Sequence, residues 1–207
     1  MSVPSLRQLG SHNPHVVALV LHGGREYGQD PVPRLSLAYL RMVPFARALA
    51  RSSGELAVFQ LRNRVRGWNP PQLDPVRDAR WALEQIHSKF PGVPIVLVGH
   101  SMGGRVALRV ADDPAVTAVC ALAPWCPPTD PVEQLAGRRV LIAHGKLDRT
   151  TNPRESRDYA RRAARVTDRV ELVWVDGETH ALLRKPGVWR DLVRRFAQDE
   201  LSHSHES

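Results

Sequence analysis

The sequence has few cysteines, few aromatic residues and no long apolar run. Cys120 and Cys126 are its two cysteines among 207 residues, too few for a disulfide framework and without the further ligands that a zinc site needs. No apolar run approaches the roughly 20 residues of a membrane-spanning helix, and the first 14 residues lack the apolar segment of a signal peptide. We therefore expect a cytoplasmic protein with free thiols, no membrane span, no metal and no cofactor.

Acidic residues are scarce relative to basic ones. Lysine and arginine number 29 against 21 aspartates and glutamates, which gives a formal net charge of +8. Such a balance can indicate nucleic-acid binding, but the arginines are scattered over predicted helices and no recognised nucleic-acid module occurs. We expect solvated helix faces and no nucleic-acid partner. The one dense cluster, Arg62, Arg64 and Arg66, would suit an acidic substrate if it lies beside an active site.

The sequence is rich in short apolar runs that are typical of buried strands. Six apolar runs lack the alternation typical of half-exposed strands, and helical segments separate them. The runs cover residues 16–21, 55–61, 95–98, 116–122, 140–143 and 170–175. This pattern predicts a single α/β domain over residues 16–200, with a mostly parallel sheet of about six strands and helices on both faces. Residues 1–15 should be a loose lead-in and residues 201–207 a disordered tail.

Proline residues give signals for three helices. Asp74 followed by Pro75, and Asn152 followed by Pro153, are pairs in which a capping residue precedes a proline in the first turn. Pro44 lies inside the predicted helix 36–51 and should kink or restart it, because proline has no N–H to donate.

The sequence GHSMGG at residues 99–104 lies between the strand 95–98 and the helix-forming segment 105–111. Strand, G-x-S-x-G and helix form the nucleophile-elbow pattern, in which a tight turn lifts the serine above the sheet edge. Gly99 and Gly103 would supply the space that this turn needs. An ordinary Gly/Ser turn is the alternative, since a chance G-x-S-x-G arises in roughly 5–10% of chains of this length.

Polar candidates follow the ends of four strands: His22, Ser101, His144 with Asp148, and His180. Open α/β sheets bind ligands at the carboxyl ends of their strands. A serine nucleophile needs a base to take its proton, and the base needs a carboxylate to hold its tautomer. Ser101, Asp148 and His180 have the chain order expected with a nucleophile elbow. Asp176 is an alternative to Asp148, while His22, His100 and His144 are expected to pack and to make structural hydrogen bonds.

These motifs resemble those of the α/β-hydrolases, of the small, capless bacterial type. The resemblance covers about residues 16–200 and rests on HGG at 22–24, GHSMGG at 99–104, HGKLD at 144–148 and GETH at 177–180. It implies Ser101 as nucleophile, Asp148 as orienting acid and His180 as general base.

The resemblance also implies an oxyanion hole and two departures from the larger family. The backbone N–H of Met102 would act together with that of Gly24 or Arg25. Only residues 1–15 precede the first predicted strand, so the two antiparallel strands that usually open the fold should be absent. The connection from Leu122 to Arg139 is too short for the helical cap of lidded members. We therefore expect an open, shallow site.

The expected function is hydrolysis of a small-molecule carboxylic ester or thioester through an acyl-enzyme, with acyltransferase or peptidase activity as further possibilities. Tyr27, Trp68 and Trp125 lie in loops at the catalytic edge. They would either form an apolar wall for an acyl or aryl group or pack over the sheet. The alternative function is a binding protein that keeps the scaffold without catalysis.

Overall fold

The computed structural model describes residues 3–204 of the chain. Within these residues the chain forms seven strands and five α-helices. The strands are β1 (Ser5–Gly10), β2 (Val16–Leu21), β3 (Leu56–Arg62), β4 (Ile95–His100), β5 (Val116–Leu122), β6 (Arg139–Gly145) and β7 (Val170–Val175). The helices are α1 (Leu37–Ala50), α2 (Asp74–Lys89), α3 (Met102–Arg109), α4 (Pro153–Ala163) and α5 (Pro186–Ser204). The alternation of strands and helices confirms the predicted α/β class.

The seven strands form one sheet in the order β1-β3-β2-β4-β5-β6-β7. β1 is antiparallel to β3, and the other neighbouring strands are parallel. The six predicted strands and the mostly parallel sheet are therefore confirmed. Because β2 to β7 run in one direction, the segments that follow them meet at a single edge of the sheet.

β1 corrects two expectations about the start of the chain. The expected loose lead-in over residues 1–15 contains a strand, because Ser5 pairs with Arg62 and Gly10 with Ala57 along the edge of the sheet; residues 1–2 lie outside the described residues. One antiparallel opening strand is thus present where both were expected to be absent. Its sequence, SLRQLG, contains only two large apolar residues. A strand at the sheet edge has a single neighbour and is half-buried, so it gives little apolar signal.

Both faces of the sheet are covered, as predicted. α2, α3 and α4 pack on the face to which Val17 and Leu19 of β2 point. α1 and α5 pack on the opposite face, to which Ala18 and Val20 point. Successive residues of a strand point to opposite faces, so a strand buried on both sides consists of apolar residues throughout. This explains the unbroken apolar runs of the sequence.

The start of α2 differs from the prediction. Leu73, in the left-handed conformation with φ 51°, precedes the helix, and no side chain caps it. Asp74 is the first helical residue, so its prediction as the cap is wrong. Its carboxylate instead accepts hydrogen bonds from Asn69 Nδ2 at 2.9 Å and from Arg64 Nη2 at 3.3 Å. The Asp74 carboxylate therefore accepts hydrogen bonds from side chains of the preceding loop, and not from the backbone N–H groups at the start of α2.

The other two proline signals have different outcomes. The side chain of Asn152 accepts a hydrogen bond from the Arg154 N–H at 3.0 Å, which confirms it as the cap of α4. Pro44 does not restart α1, which is continuous from Leu37 to Ala50. The buried side chains of Met42 and Phe45 anchor the helix on both sides of the proline.

The end of the chain also differs from the prediction. α5 continues through Leu201 to Ser204, so the expected change to a disordered tail after residue 200 is wrong. Leu201 is 7% exposed because it packs into the core between α5 and the sheet. Residues 205–207 of the predicted tail lie outside the described residues.

The carboxyl edge of the sheet carries no cap in the part of the chain that the structure describes. The connection between β5 and β6 contains only the short 3-10 helix Glu133–Leu135, as its length predicts. Across residues 3–204, no helix combines the length and the apolar character that crossing a membrane requires.

Candidate active site

Ser101 lies in the turn between β4 and α3, with φ 57° and ψ −122°. Residues with a side chain rarely adopt a positive φ, and such strain is found mainly at functional sites. A Cβ atom at Gly99 would collide with the backbone of Gly103, and one at Gly103 would collide with the carbonyl oxygen of Leu21. The turn therefore has the close backbone approach that the elbow pattern predicts.

Three side chains from the ends of β4, β6 and β7 meet above this turn. Ser101 Oγ lies 3.0 Å from His180 Nε2, and His180 Nδ1 lies 2.8 Å from Asp148 Oδ2. A carboxylate only accepts hydrogen bonds, so Nδ1 donates and the lone pair of Nε2 faces the serine hydroxyl. Asp176, the alternative acid, is an exposed residue whose carboxylate is paired with Lys146 at 2.7 Å.

The Asp148 carboxylate is held by several donors. Its Oδ1 accepts hydrogen bonds from the N–H groups of Thr150 at 2.7 Å and Thr151 at 3.1 Å. Its Oδ2 also accepts one from Thr151 Oγ1 at 2.9 Å. Burial acts to raise the pKa of Asp148, but hydrogen bonds from His144, His180 and the Thr150 N–H outweigh it and hold the pKa well below its usual range. The site therefore contains an ionised carboxylate behind His180.

Thr151 is the residue at this site that sequence reasoning missed. Its hydroxyl lies within hydrogen-bonding distance of Asp148 Oδ2, of the Ala123 carbonyl at 3.2 Å and of His180 Nδ1 at 3.2 Å. Aspartate followed three residues later by threonine favours a local turn in which the carboxylate accepts backbone N–H groups. That pattern could have pointed to the loop, although not to the hydroxyl's contact with the histidine.

His144 makes the structural hydrogen bonds expected of it. Its ring is fully buried, with Nδ1 2.8 Å from Ser156 Oγ and Nε2 3.2 Å from Asp148 Oδ2. It therefore connects α4 to the carboxylate that His180 also contacts.

His100 packs beneath the candidate base. Its Nε2 donates a hydrogen bond to the backbone carbonyl of His180 at 2.9 Å, and the two rings lie 4.8 Å apart. Burial, together with the nearby His180, lowers the pKa of His100 to about 3. His100 is therefore neutral at neutral pH and supports the loop that carries His180.

The loop after β2 corrects one half of the predicted oxyanion hole. The Arg25 N–H donates to the Arg66 carbonyl at 2.9 Å, so Arg25 is excluded as an oxyanion donor in this conformation. Within residues 3–204, the N–H groups of Gly24 and Met102 make no hydrogen bond. A Cβ at Gly24 would collide with the Met102 side chain, so the two donors lie on directly packed segments.

His22 fixes the same loop. Its Nδ1 donates to the Gly23 carbonyl at 2.6 Å and its Nε2 accepts from the Asn63 N–H at 3.1 Å. Burial lowers the pKa of His22 to about 4, so the ring is neutral and can both donate and accept. This is the structural role expected for His22.

Tyr27, Trp68 and Trp125 do not together form an apolar wall for a substrate, which was one of the two roles expected of them. The guanidinium of Arg105 lies between Trp68, 3.9 Å from its ring centre, and Trp125, 4.2 Å from its ring centre. Arg105 also makes two hydrogen bonds to Asp130, at 2.6 and 2.7 Å. Trp68 is only 3% exposed, so it packs and is not available as a substrate wall. Tyr27 is 64% exposed, and its role stays a prediction.

Neither cysteine is suited to act as a nucleophile. Cys120 and Cys126 are both free and buried. Burial raises the pKa of Cys120 to about 12 and also raises the pKa of Cys126. A thiol is nucleophilic as its thiolate, so neither competes with Ser101. No group of three or more potential metal-ligating His, Cys, Asp or Glu residues occurs in the described part of the chain.

Comparisons with known proteins agree with this fold. A family model described as the alpha/beta hydrolase family matches residues 18–202. No curated protein matches the chain.

Solved structures show the same fold. An alpha-beta serine hydrolase homologue from Coxiella burnetii has 18% identity over 93% of this chain and 89% of its own, with a TM-score of 0.71. A lidless a/b serine hydrolase from Xanthomonas campestris has 19% identity over 95% and 88%, with a TM-score of 0.71. A propionate-bound esterase from Thermogutta terrifontis has 20% identity over 97% and 89%, with a TM-score of 0.68. At these identities the likeness is one of fold.

Proposed function

The chain belongs to the alpha/beta hydrolase family, and we propose that it is a serine hydrolase that cleaves carboxylic esters or thioesters through an acyl-enzyme. One observation carries this proposal. Ser101 Oγ, His180 and Asp148 form a continuous line of hydrogen bonds of 3.0 and 2.8 Å at the carboxyl edge of the sheet. A nucleophile, a base and an orienting carboxylate in this relation are what acyl transfer requires.

Acylation begins when Ser101 Oγ attacks the carbonyl carbon of the substrate. His180 Nε2 takes the hydroxyl proton as the new C–O bond forms. The negative charge then moves to the carbonyl oxygen, which accepts hydrogen bonds from the N–H groups of Gly24 and Met102. Met102 is the first residue of α3, where the helix dipole favours negative charge. When the intermediate collapses, His180 returns the proton to the departing alcohol or thiol.

Deacylation repeats these steps with water. His180 Nε2 takes a proton from the water molecule while the oxygen attacks the acyl carbon. The tetrahedral intermediate then breaks its bond to Ser101 Oγ, which recovers the proton from His180. The products are a carboxylic acid and the free enzyme.

Asp148 acts by orientation and charge and does not take a proton itself. Its hydrogen bond to Nδ1 keeps the Nε2 lone pair directed at the serine, and its negative charge stabilises the imidazolium formed in each step. A pKa held well below the usual range keeps the carboxylate ionised throughout. Within residues 3–204 the connection between β5 and β6 holds only a short 3-10 helix, which supports an open, shallow site that does not strictly enclose a small substrate.

Hydrolysis of short p-nitrophenyl esters by purified protein tests the proposal. Wild type should turn over these esters, and Ser101→Ala should lower kcat by about 10⁴-fold or more. Far-ultraviolet circular dichroism of both proteins controls for folding. Equal turnover by the two would overturn the proposal, and a wild type without any turnover would favour the alternative of a binding protein.

A further inference from the structure

The three arginines of the cluster after β3 have different environments. Arg62 donates to the Val32 carbonyl at 2.7 Å. Arg64 pairs with Asp78 and Asp74. Both guanidinium groups are thereby used in holding the fold. Arg66 differs, because its side chain makes no hydrogen bond or ion pair within residues 3–204, and its Nε is buried without a partner.

An unpaired guanidinium nitrogen in this position is costly. Removing a donor from water without supplying an acceptor costs free energy, and the cost is larger for a charged group. No carboxylate of the described residues pairs with Arg66, although Asp74 and Asp78 both pair with Arg64, only two residues away. An anionic ligand would not reach the buried Nε, but it would neutralise a guanidinium that no carboxylate of residues 3–204 pairs with.

Arg66 lines a cavity of about 370 Å³ beside the proposed oxyanion hole. Gly23, Gly24 and Arg25 form one side of this cavity. Its remaining wall is largely apolar and includes Val32, Pro33, Leu35, Leu37 and Ala38. Ser101 does not line the cavity, but a Cβ on Gly23 would lie 3.3 Å from Ser101 Cβ, so the segment that carries Gly23 lies between the cavity and the nucleophile's turn and contacts both. Its chemistry suits a short apolar chain that ends in an anion.

The position of His180 decides which half of the substrate enters this cavity. The leaving group must lie within reach of His180 Nε2, which returns the proton to it. His180 lines a different cavity, of about 470 Å³, together with Leu147 and Ala181. The cavity with Arg66 does not include His180. The leaving group therefore belongs on the His180 side and the acyl chain on the side of Gly24 and Arg66.

We propose that Arg66 binds a carboxylate at the far end of the acyl chain, so that the substrates are monoesters or monothioesters of dicarboxylic acids. This inference rests on the proposed function, because it identifies the acyl group of that reaction. The guanidinium fork offers two parallel N–H donors, which match the two oxygens of a carboxylate. The exposed Arg25 adds positive charge at the mouth of the same cavity.

Two esters of equal chain length test this specificity. 4-Nitrophenyl hexanoate and 4-nitrophenyl hydrogen adipate have the same leaving group and differ in the acyl half by a terminal carboxylate. Wild type should prefer the adipate monoester in kcat/KM by about tenfold to a hundredfold. Arg66→Gln should abolish this preference while the rate on hexanoate stays within about threefold. Arg66→Lys, which keeps the charge but loses the fork, should restore part of it.

Arg34→Gln is the matched control. Arg34 is an exposed arginine between Pro33 and Leu35 of the cavity wall, but it does not line the cavity. Its substitution removes the same charge and should leave the preference for adipate unchanged. If Arg34→Gln and Arg66→Gln lowered the preference for adipate equally, the preference would come from the overall basic charge of the surface, and the assignment to Arg66 would be wrong.

Calorimetric titration of monomethyl adipate into Ser101→Ala measures binding without turnover. Binding that Arg66→Gln abolishes in the same background supports the site, whether or not the wild type is an active esterase. Ester turnover without an Arg66-dependent preference would overturn this inference alone. Arg66-dependent binding without turnover would overturn the proposed function alone. The absence of any binding of monomethyl adipate would also overturn the inference.

Discussion

His144 Nε2 lies 3.2 Å from Asp148 Oδ2, the carboxylate oxygen that also accepts the Nδ1–H of His180 at 2.8 Å. One oxygen is thus shared by two imidazoles, one facing the serine and one facing α4. Thr151 Oγ1 donates to the same oxygen at 2.9 Å. The carboxylate is therefore fixed from several sides, and its geometry does not depend on His180 alone.

Replacing His144 should affect stability more than catalysis. His144→Leu leaves Ser156 Oγ without its ring partner and removes one donor from Asp148. We expect the free energy of unfolding to fall by about 1–3 kcal/mol, the usual cost of unpaired buried polar groups. Because His180 and Thr151 still hold the carboxylate, kcat should fall less than tenfold. Urea unfolding and ester kinetics on the same sample check both values, and a complete loss of activity in a folded variant would contradict this account.

Thr151→Val should affect catalysis through Asp148. Valine matches threonine in shape and keeps the backbone N–H that bonds to Oδ1, but it removes the hydroxyl donor to Oδ2. We expect kcat to fall by about threefold to tenfold, which corresponds to the net contribution of one ordinary hydrogen bond, with KM little changed. Thr151→Ser restores the hydroxyl and should recover most of the rate. Equal kcat values for wild type and Thr151→Val would show that the hydroxyl is not needed.

The buried histidines predict a loss of stability in acid. The pKa of His22 is lowered to about 4 and that of His100 to about 3, from 6.5, so below pH 6.5 the unfolded chain binds protons that the folded chain does not. Stability is complete above the unfolded pKa and declines as pH falls from 6.5 towards 4 and 3. At pH 4.5 each of these two histidines should lower the free energy of unfolding by about 2–3 kcal/mol relative to its value above pH 6.5.

Urea unfolding at pH 7.5 and pH 4.5 measures this difference. The glutamine of His100→Gln keeps an amide donor for the His180 carbonyl but has no group that titrates in this range. The free energy of unfolding of this variant should therefore fall less than that of wild type between pH 7.5 and pH 4.5. A difference as large as that of wild type would contradict the assignment to His100.

The buried ion pair between Arg105 and Asp130 allows a double-mutant cycle. Asp130→Leu leaves Arg105 as an unpaired buried charge, and Arg105→Met leaves Asp130 in the same state. Each single variant should lose about 3–5 kcal/mol of stability, whereas the double variant should lose less than either, because it removes both charges. Chemical denaturation of the four proteins gives the coupling energy. Additive losses would show that the ion pair contributes nothing beyond its separate parts.

Much of this molecule could be predicted from periodicity and from motif order. The six apolar strands, the elbow at Ser101 and the meeting of Ser101 with Asp148 and His180 follow from strong local signals, since buried parallel strands are apolar throughout and their carboxyl ends share one edge. The catalytic roles of the three residues stay a prediction. The sequence does not reveal β1, because an edge strand with two leucines carries little apolar pattern.

What the sequence could not show depends on tertiary contacts. The Arg25 N–H is occupied because the loop after β2 pairs with the loop after β3, a contact between segments about forty residues apart. The same applies to Asp74, whose carboxylate is used by Asn69 and Arg64 instead of by the helix. Nor does spacing distinguish Arg66 from Arg62 and Arg64, because the difference lies in which carboxylates and carbonyls reach each guanidinium.

Mass spectrometry of protein treated with a fluorophosphonate probe tests the central claim most directly, because this reagent reacts with a serine only when its proton can be taken by a base. The account predicts one covalent adduct, located by peptide mapping on Ser101, and strongly slowed labelling in His180→Ala with the fold retained. A wild type that stays unlabelled, or an adduct on another residue with Ser101 unmodified, would contradict it.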